Sequence, residues 1–291
     1  MSHPMQAAAT ADVFAGRKRT DRWMFALTGA CTVVSVAVLG FILLYIAVRG
    51  ISSVNLAFLT RLPRPVGETG GGIANGIVGS LEIVTMAALL GVPIGVLGGL
   101  YLAEWGDSRT AFVIRYCADV LNGVPSIVMG VFAYALVVLP LKHFSALSGS
   151  VALAVIMIPL VLRTTEEFVR LVPGSIREAG LALGLPQWKV ILRIVLPTAS
   201  RGIITGVLLS VSRIAGETGP LIFTAFGNRY WGHGILEPMA ALPLMIFTYA
   251  ISPYDDWHRQ AWAAAFILML VVLGGNIGAQ LLMRGNQGGR T

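Results

Sequence analysis

Long apolar runs alternate with short polar segments along this chain, and six of the runs have the length of a membrane-crossing helix. They lie at about 24–48, 77–102, 118–141, 149–169, 202–224 and 261–283. A helix needs about twenty apolar residues to cross the hydrocarbon core of a bilayer. The pattern therefore predicts an all-α integral membrane protein with six transmembrane helices. In the second span, Gly91, Gly95 and Gly99 recur every four residues, which predicts close contact with another helix.

The polar segments divide the chain into four parts. Residues 1–23 are predicted to form an N-terminal tail, and 24–75 the first transmembrane helix with an external loop. Residues 76–284 form the main transmembrane domain, and 285–291 a second tail. Within the main domain, the apolar stretch 239–252 is too short to cross the bilayer and is expected at its outer interface.

The composition agrees with a membrane protein and argues against several other classes. Of the 291 residues, 56% are hydrophobic and only 12% are charged, whereas about 25% of a typical soluble domain is charged. The two cysteines and four histidines do not have the spacing of a metal site, and no G-x-x-x-x-G-K-[ST] motif for ATP occurs. We therefore expect this chain to carry no cofactor and to be no enzyme by itself.

The distribution of Lys and Arg predicts the orientation of the chain, because basic residues concentrate on the cytoplasmic side of membrane proteins. Six spans place both termini on one side. If that side is the cytoplasm, thirteen basic residues lie in inner segments, namely Arg17, Lys18, Arg19, Arg22, Arg109, Arg115, Arg170, Arg177, Lys189, Arg193, Arg201, Arg284 and Arg290. Six lie in outer segments, namely Arg49, Arg61, Arg64, Lys142, Arg229 and Arg259. Both termini are thus predicted to be cytoplasmic, and the net charge of +7 is explained without a nucleic-acid partner.

Residues 173–197, which we call the plug, have the character of water-soluble helix and lie between the fourth and fifth spans. Ser175 and Glu178 are spaced as a capping box that would start a helix. Gly184 suits the left-handed end of that helix. A second helix is expected to run toward Pro197, which would stop it or begin the next span. The plug is therefore predicted to be a cytoplasmic helix–Gly–helix loop.

Two arginines, Arg163 and Arg213, lie within predicted spans, where a charge costs about 2.5–3.5 kcal/mol on insertion scales. Arg213 precedes Glu217 by one helical turn, so the two share a helix face. Pro220 would break the helix close to this pair, and broken helix at membrane depth lines a cavity or is buried in protein. Arg163 has Glu166 at a similar spacing.

These charges favour an anion path through the membrane. The planar donor fork of arginine suits an oxyanion and stays charged, and a nearby carboxylate weakens the hold so that the anion can leave. The alternative is structural, with each arginine pairing with its carboxylate and holding helices together. Glu82 and Asp119, in the second and third spans, are weaker candidates for function.

The plug resembles the cytoplasmic loop of permease subunits in bacterial ATP-binding-cassette (ABC) importers, which has the pattern E-A-A-x3-G-x9-I-x-L-P. The matching residues are Glu178, Ala179, Gly180, Gly184, Ile194, Leu196 and Pro197, with Gly180 in place of the second Ala. In that family the loop docks into a cleft of the ATPase subunit and transmits its motion. The resemblance implies that 76–284 is an ABC importer transmembrane domain and that the plug is its docking (coupling) loop.

Further residues resemble the A-type permeases of the bacterial phosphate-specific importer. The similar runs are Arg163–Glu166, Leu171–Pro173, Ser212–Leu221 and Phe223–Ala225, with Gly219 where members of that family usually have Ala. The resemblance implies a multi-pass protein of the bacterial inner membrane that moves phosphate. It also implies a substrate path that includes Arg213, Glu217 and Arg163.

The same resemblance implies the partners of the chain. In this family a C-type permease completes the channel, two copies of an ATPase subunit hold ATP and Mg, and an extracytoplasmic binding protein delivers phosphate. Two alternatives stay open from the sequence. One is a permease for another oxyanion, sulfate or molybdate. The other is a secondary transporter, which would need a coupling-ion site and usually repeat symmetry between its halves.

Overall fold

The computed structural model describes residues 3–65, 67–232 and 234–285, with side chains for 18, 20–65, 67–232 and 234–281. All of the predicted C-terminal tail except residue 285 lies outside these residues. The chain divides into two compact units, Met1–Arg49 and Gly50–Thr291, and each is described by itself. The helix that occupies the first unit includes residues of the predicted N-terminal tail from His3 onward.

Helices dominate the described chain. They are α1 (His3–Ile51), α2 (Leu56–Thr60), α3 (Ala74–Glu104), α4 (Arg109–Gly123), α5 (Ser126–Leu141), α6 (Ala146–Arg170), α7 (Gly174–Ala182), α8 (Gln187–Ala215), α9 (Gly219–Thr224), α10 (Leu242–Ala250) and α11 (Asp255–Gly285). Two of them contain π-helical stretches, Tyr134–Val138 in α5 and Ile191–Val195 in α8. In the described ranges, β-structure is limited to isolated bridges, so the all-α class is confirmed.

Five of these helices are long and apolar enough to cross a membrane, namely the part of α1 from Thr20 onward, α3, α6, α8 and α11. The pair formed by α4 and α5 passes the same test when it is taken together. The described chain therefore has six spans if this pair counts as one, which agrees with the predicted number.

The third span is broken, although the sequence predicted one helix over 118–141. Its two halves, α4 and α5, are bent by 109° relative to each other. Pro125 has no N–H to donate and disfavours the helical conformation at Val124, so the chain turns there. Ser108 starts α4 well before the predicted span, because its hydroxyl accepts a hydrogen bond from the N–H of Ala111 at 3.1 Å.

The most extensive helix packing joins α3 to α6. A Cβ atom at Gly95 would lie 2.7 Å from the Cβ of Val161, and one at Gly99 would lie 2.6 Å from the Cβ of Thr165. Both distances are shorter than side chains tolerate, so only glycine permits this approach. The close contact predicted from the glycine spacing is confirmed, and the two helices are expected to move together.

The plug has its predicted helix–Gly–helix form, but its first helix begins differently. α7 starts at Gly174, directly after Pro173, and no side chain caps it. The proposed capping box of Ser175 and Glu178 was therefore wrong, since both residues already lie inside the helix. The left-handed end is confirmed, because Gly184 has a φ of +77°.

Pro197 neither stops the second plug helix nor begins a new one. α8 runs without a break from Gln187 to Ala215 and contains Pro197. In the π-helical stretch before the proline, the N–H of Leu196 bonds to the carbonyl of Ile191, one residue further back than in an α-helix. This wider turn accommodates a residue that has no N–H to donate. The plug and the fifth span are therefore joined by one continuous helix.

The short apolar stretch 239–252 contains α10, which has nine residues and cannot cross a bilayer. Its Tyr249 packs on Trp257, with ring centroids 4.8 Å apart. Together with Ile73 and Phe58, these residues belong to one buried cluster, and Ile73 directly precedes α3. The location of α10 at a membrane interface stays a prediction.

Candidate functional site

The fifth span breaks beside the predicted charge pair. α8 ends at Ala215 and α9 begins at Gly219, so residues 216–218 lie outside both helices. Pro220 occupies the first turn of α9, where backbone N–H groups have no acceptor within the helix, so the missing N–H of proline costs no hydrogen bond. The sequence predicted an interruption near residue 216, and the structure confirms it.

Arg213 and Glu217 flank this break. Nε of Arg213 lies 3.9 Å from Oε1 of Glu217, and the two side chains are 57% and 19% exposed. A charge-assisted hydrogen bond between such groups is about 2.7–2.9 Å long, so this ion pair is loose. An exposed guanidinium that is held loosely keeps its donors available to an anion.

The two broken spans meet close to their breaks. A Cβ atom at Gly130 of α5 would lie 2.6 Å from the Cα of Pro220, so α5 and α9 touch backbone to backbone. At Gly219 a Cβ atom would lie 3.4 Å from the Cα of Ile127, which is ordinary contact. An alanine would therefore fit at position 219, as the family pattern has it. Glycine in place of the family's alanine at this position therefore does not alter how α5 and α9 pack.

A second charged cluster surrounds Glu166, near the C-terminal end of α6. This residue is 3% exposed. Its Oε1 lies 2.8 Å from Nη2 of Arg115 and 2.9 Å from Nη2 of Arg170, and its Oε2 lies 3.0 Å from Nη1 of Arg163. Three arginines from two helices thus compensate one buried carboxylate, as a charge removed from water requires. The cluster ties α4 to α6.

Arg163 uses most of its donors inside this cluster. Nε and Nη2 each donate to a carboxylate oxygen of Asp119 at 2.8 Å, and Nη1 donates to the buried glutamate. α6 contacts α8 where Thr164 faces Gly206, about two helical turns before Arg213. The structure therefore places Arg163 and Arg213 in two separate clusters.

Sequence reasoning missed the part that Arg115 and Arg170 play, because it treated both as basic residues of loops. A signal was present in the spacing. Arg163, Glu166 and Arg170 follow each other at i, i+3 and i+7, which puts them on one face of α6. Arg115 and Asp119 likewise share a face of α4.

The two weaker candidates have different surroundings. Asp119 forms the bidentate pair with Arg163 that is described above, so it belongs to the second cluster. Glu82 is exposed on α3 and lines a small cavity with Asn75 and Trp231. Asp119 therefore has a clear structural partner, and Glu82 belongs to neither charged cluster.

The residues of the docking pattern divide into an exposed set and a packed set. The exposed residues are Glu178, Ala179, Gly184 and Pro197, and the buried or half-buried ones are Gly180, Ile194 and Leu196. A Cβ atom at Gly180 would lie 2.8 Å from Cδ1 of Ile194. These two pattern residues therefore pack closely, and an alanine at position 180 would need only a small shift of the flexible end of Ile194.

The plug also carries large apolar side chains on its surface. Leu181, Leu183 and Trp188 are 49%, 80% and 58% exposed. Exposed apolar surface on a segment that is not expected to enter the membrane is typical of a protein interface. The plug is thus suited to bind another protein.

Comparison with known proteins identifies the family. Residues 91–285 match the family described as "Binding-protein-dependent transport system inner membrane component". The chain is 45% identical over 241 residues to the phosphate transport system permease protein PstA of Xylella fastidiosa, which covers 82% of this chain and 84% of the relative. It is 42% identical over 269 residues to the protein of the same name from Yersinia pestis, and the alignment covers 92% of this chain and 91% of that relative. The PstA protein of Haemophilus influenzae is also 42% identical, over 272 residues that cover 93% of this chain and 96% of that relative.

Solved structures share the fold at much lower identity. The inward-facing MetNI methionine ABC transporter has a TM-score of 0.60 at 15% identity and covers 73% of this chain and 96% of its own. An amino acid ABC transporter solved with histidines has a TM-score of 0.55 at 17% identity, and the match covers 73% of this chain and 92% of the transporter chain. These likenesses concern the fold alone, whereas the family match and the relatives span most of the sequence. The chain therefore belongs to the family of binding-protein-dependent transport system inner membrane components.

Proposed function

We propose that this chain is the permease subunit of an ATP-driven importer that moves inorganic phosphate inward across the bacterial cytoplasmic membrane. Its relatives are named as permease proteins of phosphate transport systems, which favours phosphate over sulfate or molybdate. Members of the family are permeases and not enzymes by themselves. A separate subunit would therefore hydrolyse the ATP.

One structural observation supports this mechanism above all. α8 extends from the plug to Arg213 as a single helix, over a length of about 40 Å. A displacement of the plug by an ATPase would reach Arg213 through continuous helix, without passing a non-helical segment. The residue best suited to hold the anion would therefore move in direct response to the ATPase.

The substrate path would centre on Arg213 and Glu217. Phosphate needs compensating positive charge in a low-dielectric path, and the guanidinium offers a donor fork that matches two phosphate oxygens. The carboxylate of Glu217 repels the anion and so favours its release. The break at 216–218 interrupts the regular helix beside this pair, and the N–H groups of Gly216 and Glu217 bond back to the carbonyls of Arg213 and Ile214.

Arg163 would be a third residue of the path, closer to the plug than Arg213. Its side chain is 31% exposed and that of its partner Asp119 is 51% exposed, so this chain leaves one side of the pair uncovered, where an anion would approach. Both carboxylates bound to Arg163 compete with an anion for its donors. We therefore assign it a transient contact with phosphate and a steady role in holding α4 against α6.

The plug would dock on the ATPase. The exposed pattern residues Glu178, Ala179 and Gly184 would face its cleft, and Leu181 and Leu183 would supply apolar contact. Gly180, Ile194 and Leu196 would shape the plug from within, and the exposed Pro197 would shape the course of α8. The full assembly would contain this chain, a C-type permease, two ATPase copies that hold ATP and Mg, and an extracytoplasmic phosphate-binding protein.

Uptake measurements test this function. In a strain that lacks its own phosphate importer, we expect the chain and its partners to restore uptake of labelled phosphate and to leave sulfate and molybdate uptake unchanged. The control replaces the ATPase by a variant that cannot hydrolyse ATP, and uptake should then cease. Uptake of sulfate or molybdate would support the other substrate class, and uptake that survives without ATP hydrolysis would support a secondary transporter.

The proposed orientation, with both termini in the cytoplasm, has its own test. In a chain whose exposed cysteines Cys31 and Cys117 are replaced by Ser, we introduce a single cysteine by Gln187→Cys in the exposed plug. An impermeant thiol reagent should label it only after lysis, because the plug would face the cytoplasm. Asp255→Cys, an exposed position predicted to be external, is the matched control and should react in intact cells. Labelling of the plug without lysis would overturn the orientation.

A further inference from the structure

An ion pair fastens the plug to the C-terminal end of α3, and neither member belongs to the docking pattern or the proposed path. Arg177 of α7 bonds through Nη1 to Oε1 of Glu104, the last residue of α3. Its Nη2 donates to the carbonyl oxygen of Val169 at 2.9 Å. The side chains of Arg177 and Glu104 are 23% and 7% exposed. One guanidinium thus joins three helices, α3, α6 and α7.

The pair is well placed to transmit force. The carbonyl oxygen of Val169, near the end of α6, accepts a backbone bond from the N–H of Val172 at 3.2 Å and a second bond from Arg177. The mostly buried Glu104 carboxylate depends on the same guanidinium, so the two are hard to separate. Ile176, the neighbour of Arg177, packs into the buried cluster that contains Leu100 of α3. Charge and apolar contact from two neighbouring residues therefore hold α7 against α3.

α3 carries this connection to the opposite end of the molecule. Its 31 residues span about 46 Å. Near its N-terminus, Nδ2 of Asn75 donates to the carbonyl oxygen of Asn228 at 2.7 Å, and Oγ of Ser80 accepts a bond from the N–H of Leu242 at 2.7 Å. One end of α3 thus holds the plug and the other holds the 228–242 segment.

We infer that Arg177 and Glu104 are positioning residues that pass the movement of the plug to α3 and through it to the 228–242 segment. The inference rests on the proposed docking of the plug on an ATPase and adds a second line of transmission to α8. α8 also contacts α3 within the buried cluster that contains Leu100, and the ion pair adds a direct bond from α7 to the end of α3. With the ion pair, Arg213 and the 228–242 segment would move together, so ATP hydrolysis would stay coupled to phosphate movement.

Charge exchange at this pair tests the inference in the complete complex, reconstituted in vesicles with the binding protein. Phosphate uptake and ATP hydrolysis are measured per assembled complex for Arg177→Glu, Glu104→Arg and the double exchange. We expect each single variant to raise the ATP consumed per phosphate by about fivefold or more, because residues in a coupling network change coupling by this order. The double exchange should restore a ratio within about twofold of the unmodified complex. Arg201→Glu, an exposed charge reversal on α8, is the matched control and should leave the ratio unchanged.

Other outcomes are decisive as well. If a single variant lowers the amount of complex while each remaining complex keeps its normal ratio, the pair is merely structural and the inference is overturned. If the single variants do not assemble, Glu104→Gln removes the ion pair and leaves the bond from Arg177 to Val169 in place, and an unchanged ratio in that variant would also overturn it. A wild-type complex that does not move phosphate, or a chain that does not co-purify with an ATPase, would refute the proposed function instead.

Discussion

Arg213→Gln abolishes phosphate uptake while the chain still assembles with its partners; this is the largest effect that we expect from a single substitution. The reason is that Arg213 is 57% exposed and its contact with Glu217 is 3.9 Å long, so the fold depends little on the pair. Transport, in contrast, would lose the permanent charge and the donor fork that bind an oxyanion. The measurement is uptake of labelled phosphate, together with co-purification of the partner subunits. Arg201→Gln, which removes an exposed charge from the same helix, is the control and should transport normally.

A purely structural role for Arg213 makes a different prediction. Removing one member of a buried ion pair typically costs about 3–5 kcal/mol, because the other charge is left without a partner. The single variant would then express poorly or fall apart, and the double variant Arg213→Gln with Glu217→Gln would recover assembly and transport. A transport role predicts that the double variant assembles and still does not transport. Restored phosphate uptake in that double variant would contradict our assignment of Arg213.

Gly184→Val disconnects ATP hydrolysis from transport while the protein still inserts into the membrane. The residue has a φ of +77° and nothing within 4 Å of a Cβ atom, so the expected effect comes from the backbone and not from a clash. A non-glycine residue in this left-handed region costs about 1–2 kcal/mol, and a β-branched side chain suits it least. The chain would relieve the strain by turning the end of α7, which would displace the exposed docking residues. Phosphate uptake and ATPase activity at equal expression measure the outcome.

Two matched variants isolate the backbone effect at position 184. Gly184→Asn should retain most of the uptake, because asparagine tolerates the left-handed conformation better than other non-glycine residues. Gly174→Val places the same side chain at another open position of the plug that has an ordinary φ, and it should transport normally. Normal uptake by Gly184→Val, or equal loss in Gly174→Val, would show that the left-handed turn does not shape the docking surface.

The spans show where sequence reasoning succeeds and where it stops. Apolar length predicted the number of membrane crossings, because the thickness of the bilayer sets the length of a helix that crosses it. The length of an apolar run cannot show a bend inside it, so the turn at Val124 and Pro125 was not predicted. At Pro220 the interruption was predicted because charged and glycine residues surround the proline there.

Proline also shows how neighbouring turns override local preference. Pro197 has the same chemistry as Pro125, yet α8 continues through it. The π-helical turn that ends at Val195 provides the necessary shift in hydrogen bonding, and no single residue signals such a turn in advance. The Ser175–Glu178 spacing failed for a related reason, because a capping box is a hypothesis about where a helix begins, and Pro173 begins it earlier.

By itself, the sequence determined that this is an all-α membrane protein with a helix–Gly–helix plug, and that Gly184 takes a left-handed conformation. These properties depend on the apolar length of each run and on the backbone freedom of single residues, which are local. Only the tertiary structure decided which charges pair between different helices. Glu166 meets Arg115 from 51 positions away, and Arg177 meets Glu104 from 73 positions away. The packing of α3, α4 and α7 around α6 determines these partners, because a buried carboxylate pairs with the arginine that the fold places next to it.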